Sequence, residues 1–111
     1  MSHETYEGRV QKVLQLLGLA RRAGYAVVGT QAVKDALRRD ELEVVLLATD
    51  ASENALRRVQ GTIEAATVSV SRCATRAELG RAVGRPEAVI VGVRDRGLGS
   101  RISKESEAIG E

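Results

Sequence analysis

The sequence contains neither phenylalanine nor tryptophan, and its two aromatic residues are Tyr6 and Tyr25. RNA-recognition-motif sheets and oligonucleotide-binding barrels stack bases on such rings. A base-stacking platform of that kind is therefore nearly excluded. If the protein binds nucleic acid, it must use backbone amides, polar side chains and arginines.

Histidine and cysteine each occur once, as His3 and Cys73. Because His3 falls in the N-terminal segment, we expect neither a histidine-based metal cluster nor a Ser/His or Cys/His catalytic pair. We therefore predict no metal site. A single cysteine excludes an intramolecular disulfide and fits a reducing compartment, so we interpret Cys73 as a small packing residue or a surface thiol.

Long apolar runs are also missing, since none approaches the roughly 18 residues that a membrane span requires. The first residues, "MSHETYEG", lack the basic and apolar regions of a signal peptide. We therefore expect a cytoplasmic protein with no membrane partner.

The charge is small but unevenly placed. The net charge is +2, and residues 1–8 and 104–111 hold five glutamates. We predict a flexible N-terminal tail over residues 1–8, a single domain over 9–103 and an acidic C-terminal tail over 104–111. Of 17 basic residues, 14 are arginine, which grips phosphates well but is equally typical of a GC-rich genome. Composition thus only permits an RNA or DNA partner.

Helical and strand patterns alternate along the chain. The spacing predicts a helix over residues 7–22, a strand over 25–28 and a second helix with Thr30 as its N-cap. Strands follow in "ELEVVLLATD", "TVSVS" and "AVIVGV". Between them lie a helix in "ENALRRVQGTIEAA", capped by Asp50 or Ser52, and a short helix in "TRAELGRAVG" with a Thr75/Glu78 capping box. "RDRGLGSRISKESEAI" reads as a glycine-interrupted turn and a terminal helix. The fold class expected is α/β, a three-layer α/β/α sandwich with a mixed four-stranded sheet.

The stretch "VVGTQAVKDALRR" is a strand, glycine, helix junction of the kind that binds anions. Gln31, Lys34 and Arg38 fall on one face of its helix. The junction lacks the glycines of a dinucleotide site and the Gly-Lys-Ser/Thr ending of a P-loop, so a nucleotide-dependent enzyme is a third choice. A merely solvated helix face is the alternative interpretation. Asp50 likewise fits a catalytic carboxylate or an N-cap.

Several segments together resemble the family of ribosomal and kink-turn RNA-binding proteins typified by L7Ae and L30e, especially its small bacterial members. These segments are "LGLARRAG", "GTQAVK", "VVLLATDASENALRR", "AELGRAVG" and "AVIVGVRDRG". They occur in the family's order and at nearly its spacing. The resemblance implies a compact α/β/α domain that binds a sharply bent RNA without enzymatic activity, and we accordingly expect no cofactor and no small-molecule substrate.

The resemblance also implies two RNA-binding segments. The family motif G-x-N-E-x-x-K begins the second helix, and it maps here onto Gly29, Thr30, Gln31 and Ala32. A loop before the last buried strand, which in the family closes over an extruded nucleotide, maps onto Arg85, Pro86, Glu87 and Ala88. Lys34, Arg38 and Arg85 would bind phosphates.

The chain departs from the family motif at three positions: Gln31 replaces asparagine, Ala32 replaces glutamate and Asp35 replaces lysine. Contacts with base edges therefore differ from the family's. We expect a ribosomal or ribosome-associated protein that binds structured, kink-turn-like RNA, with ribosomal RNA among the candidates. The alternative is a protein-interaction module of the same fold.

Overall fold

A computed structural model describes residues 5–109. Its elements, in chain order, are α1 (Tyr6–Arg22), β1 (Ala26–Val28), α2 (Thr30–Arg38), β2 (Val44–Leu47), α3 (Glu53–Ala65), β3 (Ser69–Ser71), α4 (Arg76–Ala82), β4 (Ile90–Val93) and α5 (Arg96–Ile109). The predicted α/β fold with a mixed four-stranded sheet is confirmed. Among these helices, none is both long enough and apolar enough to cross a membrane.

The sheet has the strand order β1-β4-β2-β3. β4 runs antiparallel to both neighbours, whereas β2 and β3 are parallel. Every residue of the central strands β2 and β4 is buried, because helices cover both faces. Burial on both faces explains why the sequence of these two strands is continuously apolar.

Two apolar cores lie on the two faces of the sheet. The first packs α1, α4 and α5 against one face through side chains such as Val13, Leu17, Leu79 and Ile102. The second packs α2 and α3 against the other face, with the buried residues Val33, Leu37 and Val59. The helices are amphipathic at the spacing that the sequence predicts.

The starts of α1, α3 and α4 are fixed by hydroxyl caps. The Thr5 hydroxyl accepts a hydrogen bond from the Gly8 amide, and the Ser52 hydroxyl accepts one from the Ala55 amide. Ser52, rather than Asp50, therefore caps α3. The Thr75/Glu78 capping box is present in full at the start of α4, as predicted.

The terminal segments contribute to the first and last helices. α1 begins at Tyr6, whose hydroxyl donates to the Cys73 carbonyl oxygen at 3.4 Å, and α5 extends to Ile109. Within the range that the structure describes, the segments predicted as tails, 1–8 and 104–111, therefore contribute residues to α1 and α5. Glutamate content suggested tails, but both segments continue amphipathic helices. Residues 1–4 and 110–111 lie outside the described range.

Two glycines that the sequence analysis placed in a turn are part of the last helix. Gly97 and Gly99 lie in α5, so the predicted glycine-interrupted turn is wrong. The Asp95 carboxylate accepts a hydrogen bond from the Leu98 amide at 2.8 Å, as an N-cap residue does. A β-carbon at position 99 would lie 2.5 Å from the Glu43 β-carbon, so glycine is required by the close approach of α5 to the segment before β2.

Cys73 is buried beside Ser71, with 3.5 Å between Sγ and the serine Oγ. Burial raises the pKa of the thiol. Of the two interpretations of Cys73, the packing residue is the one that the structure supports.

Candidate functional site

The junction between β1 and α2 is built around Gly29. Its φ of 101° and ψ of 156° lie in a region that side chains other than glycine rarely adopt, and its amide donates to the Ile90 carbonyl oxygen at 3.1 Å. Gly29, not Thr30, is the N-cap of α2. The prediction of Thr30 as N-cap is wrong, because the backbone turns at the glycine and Thr30 is already helical.

The amino end of α2 has no side-chain cap and no acidic residue in its first turn. The Val33 amide bonds to the Gly29 carbonyl oxygen at 3.0 Å, which leaves the amides of Thr30, Gln31 and Ala32 as the ones a helix cannot satisfy internally. Gln31 and Ala32 are exposed. This helix end therefore presents free amides and partial positive charge to solvent.

The loop formed by residues 85–88 lies beside this helix end. Strand register pairs Val28 with Val91, and the hydrogen bond from Gly29 to Ile90 continues that pairing. The 85–88 loop enters β4 two residues before Ile90. The two segments that the resemblance pointed to are thus brought together at one end of the sheet.

The 85–88 loop is anchored to α4 by its ends. The Arg85 amide donates to the Gly80 carbonyl oxygen at 2.8 Å, and the Ala88 amide donates to that of Arg76 at 3.0 Å. Arg85, Pro86 and Glu87 are exposed, whereas the Ala88 side chain is only 6% exposed. The first three residues are accessible to a ligand, and Ala88 holds the loop in place.

The polar face of α2 contains an acidic side chain at its centre. Asp35 Oδ1 accepts hydrogen bonds from Gln31 Nε2 at 2.9 Å and from Arg38 Nη1 at 3.3 Å. The face predicted from Gln31, Lys34 and Arg38 is therefore less basic than expected. The spacing i, i+4 and i, i+3 around Asp35 could have indicated both contacts. Lys34 has no ion pair with any residue in the range 5–109.

A third segment at the same end of the sheet contains Asp50 together with Arg72 and Arg76, two arginines that were not singled out from the sequence. Arg72 Nη2 donates to the carbonyl oxygens of Ala48 and Thr49 at 3.2 and 3.4 Å, tying the segment after β2 to the segment after β3. Asp50 Oδ1 accepts from the Arg76 amide at 2.8 Å. Arg76 Nε lies 3.5 Å from Asp50 Oδ2, close enough for an ion pair but not aligned for a hydrogen bond. Asp50 therefore braces the start of α4.

The bond from the Arg76 amide holds the pKa of Asp50 below its ordinary value. A lowered folded-state pKa stabilises the protein while the carboxylate is ionised, and this contribution is lost as the pH falls through the folded-state pKa. We expect Asp50→Asn to be less stable than the wild type at pH 7, and the difference to shrink below about pH 4. Urea unfolding over a pH series measures this.

Asp40→Asn is the matched control for that experiment. Asp40 is exposed and has a positive φ of 55°, which asparagine also tolerates, and it makes no ion pair within residues 5–109. An Asp50→Asn deficit that stayed constant down to low pH would contradict the assigned role.

Within residues 5–109 no group of three or more histidine, cysteine, aspartate or glutamate side chains is placed to hold a metal ion.

Most of the chain matches a known protein family. Residues 11–102 match the model of the ribosomal protein L7Ae/L30e/S12e/Gadd45 family. The chain belongs to this family. The matched range contains the β1–α2 junction and the 85–88 loop, so both segments lie in the part of the chain that defines L7Ae/L30e membership.

Two bacterial relatives carry the name RNA-binding protein YlxQ. The Enterococcus faecium protein is 32% identical over 95 residues, covering 86% of this chain and 91% of that protein. The Bacillus subtilis protein is 36% identical over 87 residues, covering 78% and 87%. The resemblance noted from the sequence is thus confirmed.

Solved structures agree with the L7Ae/L30e fold. A Bacillus halodurans protein of unknown function has a TM-score of 0.80 at 31% identity, covering 90% of this chain and 98% of that one. A Giardia lamblia 15.5 kD RNA-binding protein has a TM-score of 0.76 at 16% identity, covering 98% and 93%. At that identity the second likeness concerns the fold alone.

Proposed function

We propose that this protein binds structured RNA containing a sharp, kink-turn-like bend, and that it does so without catalysis. The proposal depends chiefly on one observation, the uncapped amino end of α2 lying beside the exposed 85–88 loop. Family membership and the two relatives named as RNA-binding proteins support RNA as the ligand class.

The backbone of the junction supplies the first contacts. The amides of Thr30, Gln31 and Ala32 donate to phosphate or base oxygens, which the helix dipole favours. No side chain protrudes at Gly29, and nothing lies within 4 Å of where a β-carbon would be. An RNA backbone can therefore approach the junction closely.

Side chains supply the remaining contacts with the RNA. Gln31 pairs with a base edge through its carboxamide oxygen, because its Nε2 donates to Asp35 and Oε1 is left to act as an acceptor. Lys34, Arg38 and Arg85 contact phosphates, and Pro86 and Glu87 cover an extruded nucleotide. Ala88 contributes by anchoring the loop.

A native gel at low salt tests the proposal. We expect a kink-turn duplex to shift at lower protein concentration than a straight duplex of equal length, because shape is what a protein without stacking aromatics can read. Equal binding to both duplexes would show that the protein binds RNA only through nonspecific electrostatic attraction, and it would contradict the proposal.

Two single substitutions separate the roles of side chains on α2. We expect Gln31→Ala to reduce discrimination between the kinked and the straight duplex, by the roughly 0.5 to 1.5 kcal/mol that a single hydrogen bond contributes. We expect Lys34→Ala to weaken both duplexes similarly, since phosphate contacts carry no sequence information. Affinities measured by filter binding at several salt concentrations decide this, and the reverse pattern would refute the assignment.

A further inference from the structure

A groove of about 490 Å³ lies between α1 and α4, away from the β1–α2 junction. We call it the α1/α4 groove. Its lining includes Gln11, Gln15 and Leu19 from α1, together with Arg22 and Arg81. At Gly18, which also lines the groove, a β-carbon would lie 3.8 Å from the Ala82 carbonyl oxygen, so the two helices approach each other closely there.

The groove is flanked by arginines that the protein's own acidic groups do not neutralise. Within residues 5–109, Arg21, Arg22, Arg81 and Arg85 form no ion pair. The acidic residue in the lining is Glu78, and its Oε1 accepts from the Thr75 amide and hydroxyl at 2.9 and 3.1 Å. The remaining polar lining consists of glutamine amides and guanidinium groups, which suit phosphate oxygens.

The basic surface continues into the proposed RNA site. A β-carbon at Gly84 would lie 2.5 Å from Arg21 Nη2, so the Arg21 guanidinium lies directly over Gly84. Gly84 precedes Arg85, the first residue of the 85–88 loop. The Gly84 amide also donates to the Arg81 carbonyl oxygen at 3.3 Å, so the 85–88 loop adjoins both Arg21 and the groove residue Arg81.

We infer that the α1/α4 groove binds the sugar-phosphate backbone of a stem that leaves the kink. This inference rests on the proposed function and extends it with a second contact surface. Charge complementarity and continuity with the 85–88 loop identify the ligand as the same RNA. Arg22 and Arg81 bind its phosphates.

The test uses the full chain, the double variant Arg22→Gln/Arg81→Gln, and the control Arg101→Gln/Lys104→Gln. The control removes the same charge from exposed positions of α5 outside the groove lining. Each protein is titrated with a minimal kink-turn duplex, with two versions that each have one stem lengthened by a helical turn, and with a straight duplex.

We expect the wild type and the control to bind one lengthened version more tightly than the minimal duplex, and the groove variant to lose that gain. Each lost phosphate contact lowers the salt dependence of log affinity by about 0.7 to 0.9, so the slope should fall by roughly 1.4 to 1.8. Between 50 and 200 mM salt, that corresponds to about a tenfold difference.

Failure of the inference differs from failure of the proposed function. If the wild type prefers kinked to straight RNA but the groove variant matches the control on all four RNAs, the inference is overturned and the proposed function stands. If the wild type shows no such preference while the groove variant binds every RNA more weakly than the control, the kink-turn proposal fails and the groove remains a phosphate-binding surface. Binding of no RNA by the wild type overturns both.

Discussion

Replacing Gly80 with alanine is expected to lower the free energy of unfolding by about 1 to 3 kcal/mol, the usual cost of overpacking a closely packed site. A β-carbon at Gly80 would lie 2.4 Å from the Glu87 α-carbon and 2.7 Å from its carbonyl carbon and amide nitrogen. These are backbone atoms, so α4 or the 85–88 loop must move. The same shift weakens the anchoring hydrogen bond from the Arg85 amide to the Gly80 carbonyl oxygen.

Gly61→Ala is the matched control for that variant. Gly61 is also inside a helix, α3, but nothing lies within 4 Å of its β-carbon position. Alanine there should stabilise the protein by roughly 0.5 to 1 kcal/mol, since it is the better helix former. Urea unfolding measures both, and a Gly80→Ala protein as stable as the wild type would contradict the packing that positions the loop.

Replacing Gly29 with alanine is the second substitution with a large expected effect. The space around its β-carbon position is open, so the cost comes from the backbone, which holds a φ of 101°. We expect a loss of about 1 to 3 kcal/mol in unfolding free energy. RNA affinity should fall as well, because relaxing the turn rotates the amides of Thr30 and Gln31.

Thr30→Ala is the control at the neighbouring position. If Gly29 is the N-cap, the Thr30 hydroxyl caps nothing, and its removal should change stability by less than about 0.5 kcal/mol. A true N-cap threonine would lose typically about 1 kcal/mol on replacement by alanine. Thermal unfolding of the two variants side by side distinguishes these cases, and a larger effect at Thr30 than at Gly29 would contradict the geometry of the junction.

The sequence was a good guide to elements whose signals are local. Apolar periodicity located the helices, the continuous runs located β2 and β4, and the Thr75/Glu78 spacing identified a real capping box. Features that depend on a residue far away in the sequence could not be predicted. Gly99 looked like part of a turn, but it is a helical glycine required by contact with Glu43 on another segment.

In the candidate site, too, local features could be predicted from the sequence and long-range contacts could not. The Gly29 junction was indicated by its strand, glycine, helix pattern, and the 85–88 loop by the resemblance to the L7Ae/L30e family. Their adjacency depends on the pairing of β1 with β4, which no local pattern fixes. The hydrogen bonds that Gln31 and Arg38 donate to Asp35 follow from helical spacing and could have been predicted from the sequence. The brace formed by Asp50 and Arg76 joins residues 26 positions apart and required the structure.

The central claim is that the amino end of α2 and the 85–88 loop form one RNA-binding surface. The most direct measurement is an amide chemical-shift titration of the ¹⁵N-labelled protein with a kink-turn duplex. The account predicts that the largest shifts fall on Thr30, Gln31 and Ala32 and on Arg85 and Glu87, and that they saturate together. Saturating shifts confined to β3 and α3, with the α2 amides unmoved, would contradict it.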